Sequence, residues 1–306
     1  MTRKGLWIAL CALFLCGSAV AAEHPLDEAF ERCHSEDPST AGVVQCAEEF
    51  AEKWDQELNR AYKELMGLLP KEGQSALRTA QRAWIPWRDS EHALAGAYYE
   101  TLSEKSGGGT IWSMSHAVNS LEPTRGRTLE LIAYVDELKR GKPRFEGSYP
   151  AKQTDEQLAE AMKVKNLSSK LGKGLVGDGA KTASVALKAW EEFRNGEAQF
   201  LAQLYGKKSD AAFLRHVRMV KNMERSKRFD QMIGELEEVA GGAEEQETKG
   251  AGETERAPEP EGRTKAPEAE RAPAAQNMET RTTHEAQRTQ EAEETEEAGQ
   301  DDPWGK

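Results

Sequence analysis

The residues of this chain that could do chemistry by type and spacing are two overlapping glycine stretches and a handful of histidines. Gly172-Lys173-Gly174-Leu175-Val176-Gly177 has the spacing of a dinucleotide-binding turn, and Gly174 to Thr182 approaches a phosphate loop. Both motifs need a strand directly before the glycines, so that amides at a helix start can face phosphate oxygens. Lys163 to Leu171 reads instead as helix, and Ala180 intrudes between Gly179 and Lys181. A helix–helix turn is the better reading. His34, His92, His116 and His216 lack metal-ligand spacing with a nearby acid and read as scattered surface residues. Ser90 and His92 are too close in sequence to form a nucleophile–base pair, and no Gly-x-Ser-x-Gly elbow exists. No catalytic residue, metal ligand or cofactor site is assigned, and the chain is read as a non-enzyme.

A different pattern is stronger. Trp84, Trp87, Arg88 and Glu91 stand at i, i+3, i+4 and i+7, one stripe of a helix. Trp190, Phe193, Arg194 and Glu197 repeat it downstream. Trp and Arg favour binding hot spots. The alternative is that the tryptophans are core and that Arg88 pairs with a carboxylate: Asp89 or Glu91, or Asp55 or Glu57 on the preceding helix. Recurrence favours this alternative, because duplicated units share packing more reliably than ligands.

The elements that must position the stripes are helical throughout. A short helix covers Leu26 to Cys33, and His34 to Thr40 is a loop. Ala47, Phe50, Trp54, Leu58, Ala61, Tyr62, Leu65 and Leu69 give Val43 to Leu69 a broad apolar face that ends at Gly67 and Pro70. The next helix runs from about Glu72 to Leu102, with Pro86 inside it as an expected kink. Ser106, Gly107, Gly108 and Gly109 form a flexible turn. Two helical pieces split at Pro123 follow, the second ending near Gly141. A linker spans 142–154. Thr154 and Gln157 have the form of a capping box. Helices then reach about Leu171, cover Ala180 to Tyr205, and run from a cap at Ser209 to about Gly242. No run of alternating β-formers appears. The expected fold is all-α, with two helical-bundle units in tandem over 23–141 and 155–240.

Composition bounds the setting. Arg3 and Lys4, an apolar run from Leu6 to Leu15 and Ala19-Val20-Ala21-Ala22 read as a signal peptide over 1–22, cut after Ala21 or Ala22. The run is shorter than the roughly 20 residues that span a bilayer, so the mature chain is expected to be periplasmic or secreted, with no membrane span. Of four cysteines, Cys33 and Cys46 remain, an even pair in an oxidising compartment, and a disulfide follows. The net charge of −12 is uneven: 241–306 carries 18 acidic and 8 basic residues. The rest is nearly neutral, without the basic surface that nucleic acid needs. The acidic tail, 241–306, has Met278 and Trp304 as its large apolar residues and is expected to be disordered.

The first unit, Cys33 to about Leu138, resembles the LprI-type lysozyme-inhibitor family of exported bacterial proteins. Four matches carry the resemblance: Gln45-Cys46-Ala47 after Cys33; Trp54-Asp55 leading into Leu58-Asn59-Arg60-Ala61-Tyr62; Gln81-Arg82-Ala83-Trp84 leading into Trp87-Arg88-Asp89; and Gly109-Thr110-Ile111 with Met114 before Arg127-Thr128-Leu129-Glu130-Leu131. Relatives commonly carry two further cysteines, and here those places hold His92 and a residue near Val118. The second unit keeps Trp190, Phe193, Arg194, Glu197 and Arg228 without cysteines, as a diverged copy would. The resemblance implies an exported helical protein that binds lysozyme or another cationic cell-wall hydrolase. Steric occlusion of the enzyme's cleft by the Ser106 to Gly109 loop is the expected mechanism. It brings no catalytic residues. The competing expectation is an envelope scaffold or assembly module with no lysozyme target.

Overall fold

The computed structural model describes the backbone of residues 24–141 and 143–251, with side chains through residue 242. Among them are eight helices and no strand: α1 (Pro25–Glu36), α2 (Thr40–Leu68), α3 (Lys71–Lys105), α4 (Ile111–Asn119), α5 (Glu122–Arg140), α6 (Asp155–Gly174), α7 (Gly179–Leu204) and α8 (Ala211–Ala251). The all-α expectation holds. The expected signal peptide, residues 1–22, and most of the acidic tail lie outside the described residues.

Local chemistry sets the helix ends. Ser39 caps α2 by accepting from the Gly42 amide at 3.1 Å, satisfying a donor that the first turn leaves free. The Thr154 hydroxyl accepts from the Gln157 amide, and the Gln157 side chain accepts in return from the Thr154 amide, a complete capping box. Pro123 sits in the first turn of α5, where its missing N–H costs no helical bond. Three expectations are corrected. Asp210, not Ser209, caps α8, taking the Ala212 and Phe213 amides at 3.0 Å each; its carboxylate has the right reach one residue later. α8 does not stop at Gly241-Gly242 but continues to Ala251, since glycine weakens a helix without ending it. α1 is longer than the turn or two expected, because Pro25 opens it and the His24 ring accepts the Leu26 amide. α3 runs on through Pro86, which is exposed.

Each apolar face finds a partner. α1 lays Leu26, Ala29, Phe30 and Cys33 against Ala47, Phe50, Trp54 and Leu121. Cys33 and Cys46 are joined, with Cα atoms 6.0 Å apart, and Asp27 of α1 holds Arg125 of α5 through two hydrogen bonds of 2.7 and 3.0 Å. The second core is shared: Leu94, Tyr98 and Leu102 of α3 pack with Val164 and Leu171 of α6, Ala183 and Ala186 of α7, and Phe229, Met232 and Ile233 of α8. Fully burying one such side chain contributes about 1.5–3 kcal/mol. The helices on either side of the 142–154 linker thus bury one another, and the described residues up to Ala240 form one compact unit.

Candidate functional site: a buried ion-pair seam and an exposed glycine loop

The two stripes meet. Trp87 stacks on Phe193, with ring centroids 5.0 Å apart, and lies 5.6 Å from Trp190. Gly196 permits the close crossing of α3 and α7, since a Cβ there would stand 3.1 Å from the Ala80 Cα. Charged groups flank these rings, Arg127 over Phe193 and Arg225 over Trp190. Glu91 is buried and accepts hydrogen bonds from both terminal nitrogens of Arg225, 134 residues away, one of them at 2.6 Å. Arg228 adds a longer contact at 3.8 Å. Glu197, also buried, pairs with Arg127 at 3.0 Å and accepts from the Tyr134 hydroxyl at 3.0 Å. Arg127 further donates to Gln81 and Glu130, and Lys221 donates to Glu130 at 2.7 Å.

Burial disfavours ions and their partners favour them, so the balance decides the charge state. Burial would raise the Glu91 carboxyl, but Arg225 and Arg228 outweigh it and hold the group below its ordinary value. Glu130 is lowered in the same way by Lys221 and Arg127. Burial opposes the charge on Arg127, yet Glu197 and Glu130 raise its pKa. Tyr134 is pushed far up by burial and the adjacent carboxylates. Every member of the seam is committed to a partner, which suits a structural bond and not proton transfer at neutral pH. An open depression of about 450 Å³, lined by residues such as Glu160, Met223 and Asp230, and one of about 550 Å³ near Arg144 and Tyr205 include no residue of the seam.

The expected motif residues divide cleanly. Leu58, Tyr62, Gln81, Trp84, Arg127 and Trp190 are buried. Trp87, Arg88 and Arg194 are half-buried in the stripe contact, and Asp89 is exposed. Arg88 pairs with Asp89 at 2.8 Å and lies over the Trp84 ring; Arg194 donates to Asn222 at 2.7 Å. Asn59 donates to the Asp55 carbonyl and carboxylate within α2. Sequence reasoning placed Glu91 and Glu197 on their stripes but missed Arg225, Glu130, Tyr134 and Lys221. The cluster Arg215, Arg218, Lys221, Arg225, Lys227 and Arg228 early in the last helix, with Glu224 as its acid, was the hint that an acid elsewhere needed one.

Ser106 to Gly109 is exposed, and the three glycines adopt φ of 78°, 96° and 119°, a region that side chains with a Cβ avoid. The turn is held from several sides. The Trp112 ring nitrogen donates to the Ser106 hydroxyl at 2.6 Å, the Gly108 amide donates to the Ser103 carbonyl at 2.7 Å, and Thr110 meets Thr40 at the start of α2 at 3.2 Å. The expected flexible turn is therefore tied at both ends. It adjoins the most acidic part of the fold: residues 24–57 carry ten acidic and two basic residues, whereas 58–240 carry 24 acidic and 29 basic. Glu28, Glu31, Glu36, Asp37, Glu48 and Glu52 are exposed there.

The histidines correct another expectation. His34, His92, His116 and His216 are half-buried and not scattered over the surface. His34 lies edge-on to Phe30, His116 against Tyr99, and His216 on Tyr149. Among the described residues, no three His, Cys, Asp or Glu side chains gather as a metal site, and no helix is long and apolar enough to cross a membrane. The glycine stretch ends α6 at Gly174, turns over 175–178 and opens α7 at Gly179.

No curated protein matches the chain. A solved structure of an uncharacterized protein from Burkholderia thailandensis is similar in fold, at 26% identity and a TM-score of 0.50, covering 67% of this chain and 97% of that one. That span is about twice as long as the family match, so it reaches into the second helical half. Residues 32–131, from α1 through the first stripe and the glycine loop into α5, match the family described as Lysozyme inhibitor LprI.

Proposed function

We propose that the protein is an exported, non-enzymatic binding protein that inhibits a cationic, lysozyme-type cell-wall hydrolase by occluding its substrate cleft. The observation that carries this reading is the glycine loop: exposed, fixed by hydrogen bonds and set on the acidic end of a domain that matches a lysozyme-inhibitor family. A pre-ordered loop enters a cleft with little further loss of conformational freedom. The acidic surface around it attracts a basic enzyme over several ångströms and speeds encounter more than it tightens the final complex. The stripe residues and the buried ion pairs support the loop and do not touch the partner.

The test is a lysis assay with purified chain against a cationic lysozyme. Native protein in molar excess is expected to suppress lysis, and Gly108→Arg to weaken suppression at least tenfold while the protein still melts cooperatively. Undiminished lysis at large molar excess rejects the inhibitor reading. In that event, pull-down of envelope proteins by the folded chain supports the scaffold reading.

A further inference from the structure

The seam repeats itself across the two halves. One shift of numbering carries Trp84, Trp87, Arg88 and Glu91 of α3 onto Trp190, Phe193, Arg194 and Glu197 of α7. Another carries Arg127, Thr128 and Leu131 of α5 onto Arg225, Ser226 and Phe229 of α8, and all six of these are buried. The contacts are reciprocal: the acid of the first half is held by the arginine of the second, and the acid of the second by the arginine of the first. α3 and α7 run antiparallel, since Ala80 lies against Gly196, Trp87 against Trp190, and the Thr101 hydroxyl accepts the Val176 amide. Trp87 and Phe193, which occupy equivalent positions, stack on each other.

Such a pattern has a geometric meaning. When two copies meet about a two-fold axis, residue i of one touches j of the other and j touches i, while a residue on the axis touches its own counterpart. We infer that α3 and α5 are related to α7 and α8 by an internal two-fold axis through the Trp87–Phe193 stack. The second half then fills, on α3, the place that a second copy of the first half would take. The stripe is a self-association surface made intramolecular, and the partner it fits is the same helix pair.

The second half keeps this packing but not the exposed features of the first. Its turn after α7, Tyr205 to Asp210, carries Lys207 and Lys208 where the turn after α3 carries three glycines. The chain therefore offers one acidic, glycine-tipped end and not two. The inference stands independently of what that end binds.

The exchange is tested first in the full chain by thermal melting. Glu91→Arg is expected to lower Tm, Arg225→Glu in the same chain to recover at least half of the loss, and Arg127→Glu to recover none. Glu197→Arg is expected to be rescued by Arg127→Glu and not by Arg225→Glu. Rescue by the wrong arginine overturns the scheme. The symmetry is then tested in the full chain by distances between paired spin labels at exposed positions that the first shift of numbering relates: Arg82 and Ala93 on α3, Lys188 and Gln199 on α7. A two-fold makes the Arg82–Gln199 separation equal to the Ala93–Lys188 separation, and the two distributions are expected to coincide. Two clearly different separations overturn the two-fold.

Discussion

Arg127 ties three helices together, because its buried guanidinium faces Glu197 of α7, Glu130 of its own helix and Gln81 of α3. Removing one partner of a buried pair leaves the other charge without compensation, at a cost of about 3–5 kcal/mol. Arg127→Met is therefore expected to lose about that much in urea unfolding, and Glu197→Gln clearly less, since the Arg127 cation keeps Glu130 as a counter-charge. Acid dependence follows from the same groups. Glu91 and Glu130 titrate below their ordinary values in the folded chain. Their contribution is full above the unfolded carboxylate range and is lost as the pH falls through the folded values. Burial likewise lowers His92, helped by Arg88, and burial lowers His116 and His216. A histidine lowered in the folded state stabilises above its unfolded pKa, so this loss begins below about pH 6.5. Melting followed from pH 8 to pH 3 is expected to fall in two stages, and Glu91→Gln to flatten the lower one. A single stage confined to the carboxylate range would remove the histidine contribution.

At the level of elements, glycine and proline give predictions of opposite sign. Pro86 sits exposed within α3 without an amide to donate, so Pro86→Ala is expected to stabilise by about 1–3 kcal/mol. Gly126 lies inside α5 with open space where a Cβ would go, and Gly126→Ala is expected to gain about 0.5–1 kcal/mol. Gly108→Ala, at φ of 96°, is expected to lose about 1–2 kcal/mol. Chemical denaturation of the three variants side by side checks all three signs. The helices themselves were legible because apolar residues recur with a period near 3.6, as in Ala47, Phe50, Trp54, Leu58 and Leu65. The capping box at Thr154 was legible because its two hydrogen bonds are made within four residues. Arg225 was not, because nothing local ties it to an acid 134 residues earlier. The continuation of α8 through Gly241 and Gly242 was not legible either, since a glycine pair lowers helix propensity without deciding it. The glycine loop could be read as a turn from its composition, but its fixed shape depends on Thr40 and Trp112, which belong to separate helices.

For the molecule as a whole, charge is distributed along the chain in three blocks: acidic over 24–57, mildly basic over 58–240, and strongly acidic over 241–306. If encounter with a basic hydrolase is steered, removing residues 252–306 should slow association several-fold at low ionic strength. The difference should shrink towards nothing as salt shortens the reach of each charge to about 8 Å. Stopped-flow association at two salt concentrations reads this directly; an equal rate for both chains at low salt would confine steering to the folded acidic end. The disulfide makes a separate contribution. Closing the loop between Cys33 and Cys46 stabilises by about 3 kcal/mol in the chain-entropy treatment, and α1 has no fully buried side chain of its own. Reduction is expected to release α1 first, seen as early amide exchange across Pro25–Glu36.

The crossed acid–base pairs also restrict how this sequence can drift. Altering Glu91 while Arg225 stays strands a cation in the interior, and altering Arg225 strands an anion, so neither position can wander alone. The same lock joins Glu197 to Arg127. Across descendants of this gene, the four codons should therefore change in couples that bridge the linker, even though each couple lies on two different helices and far apart in the reading frame.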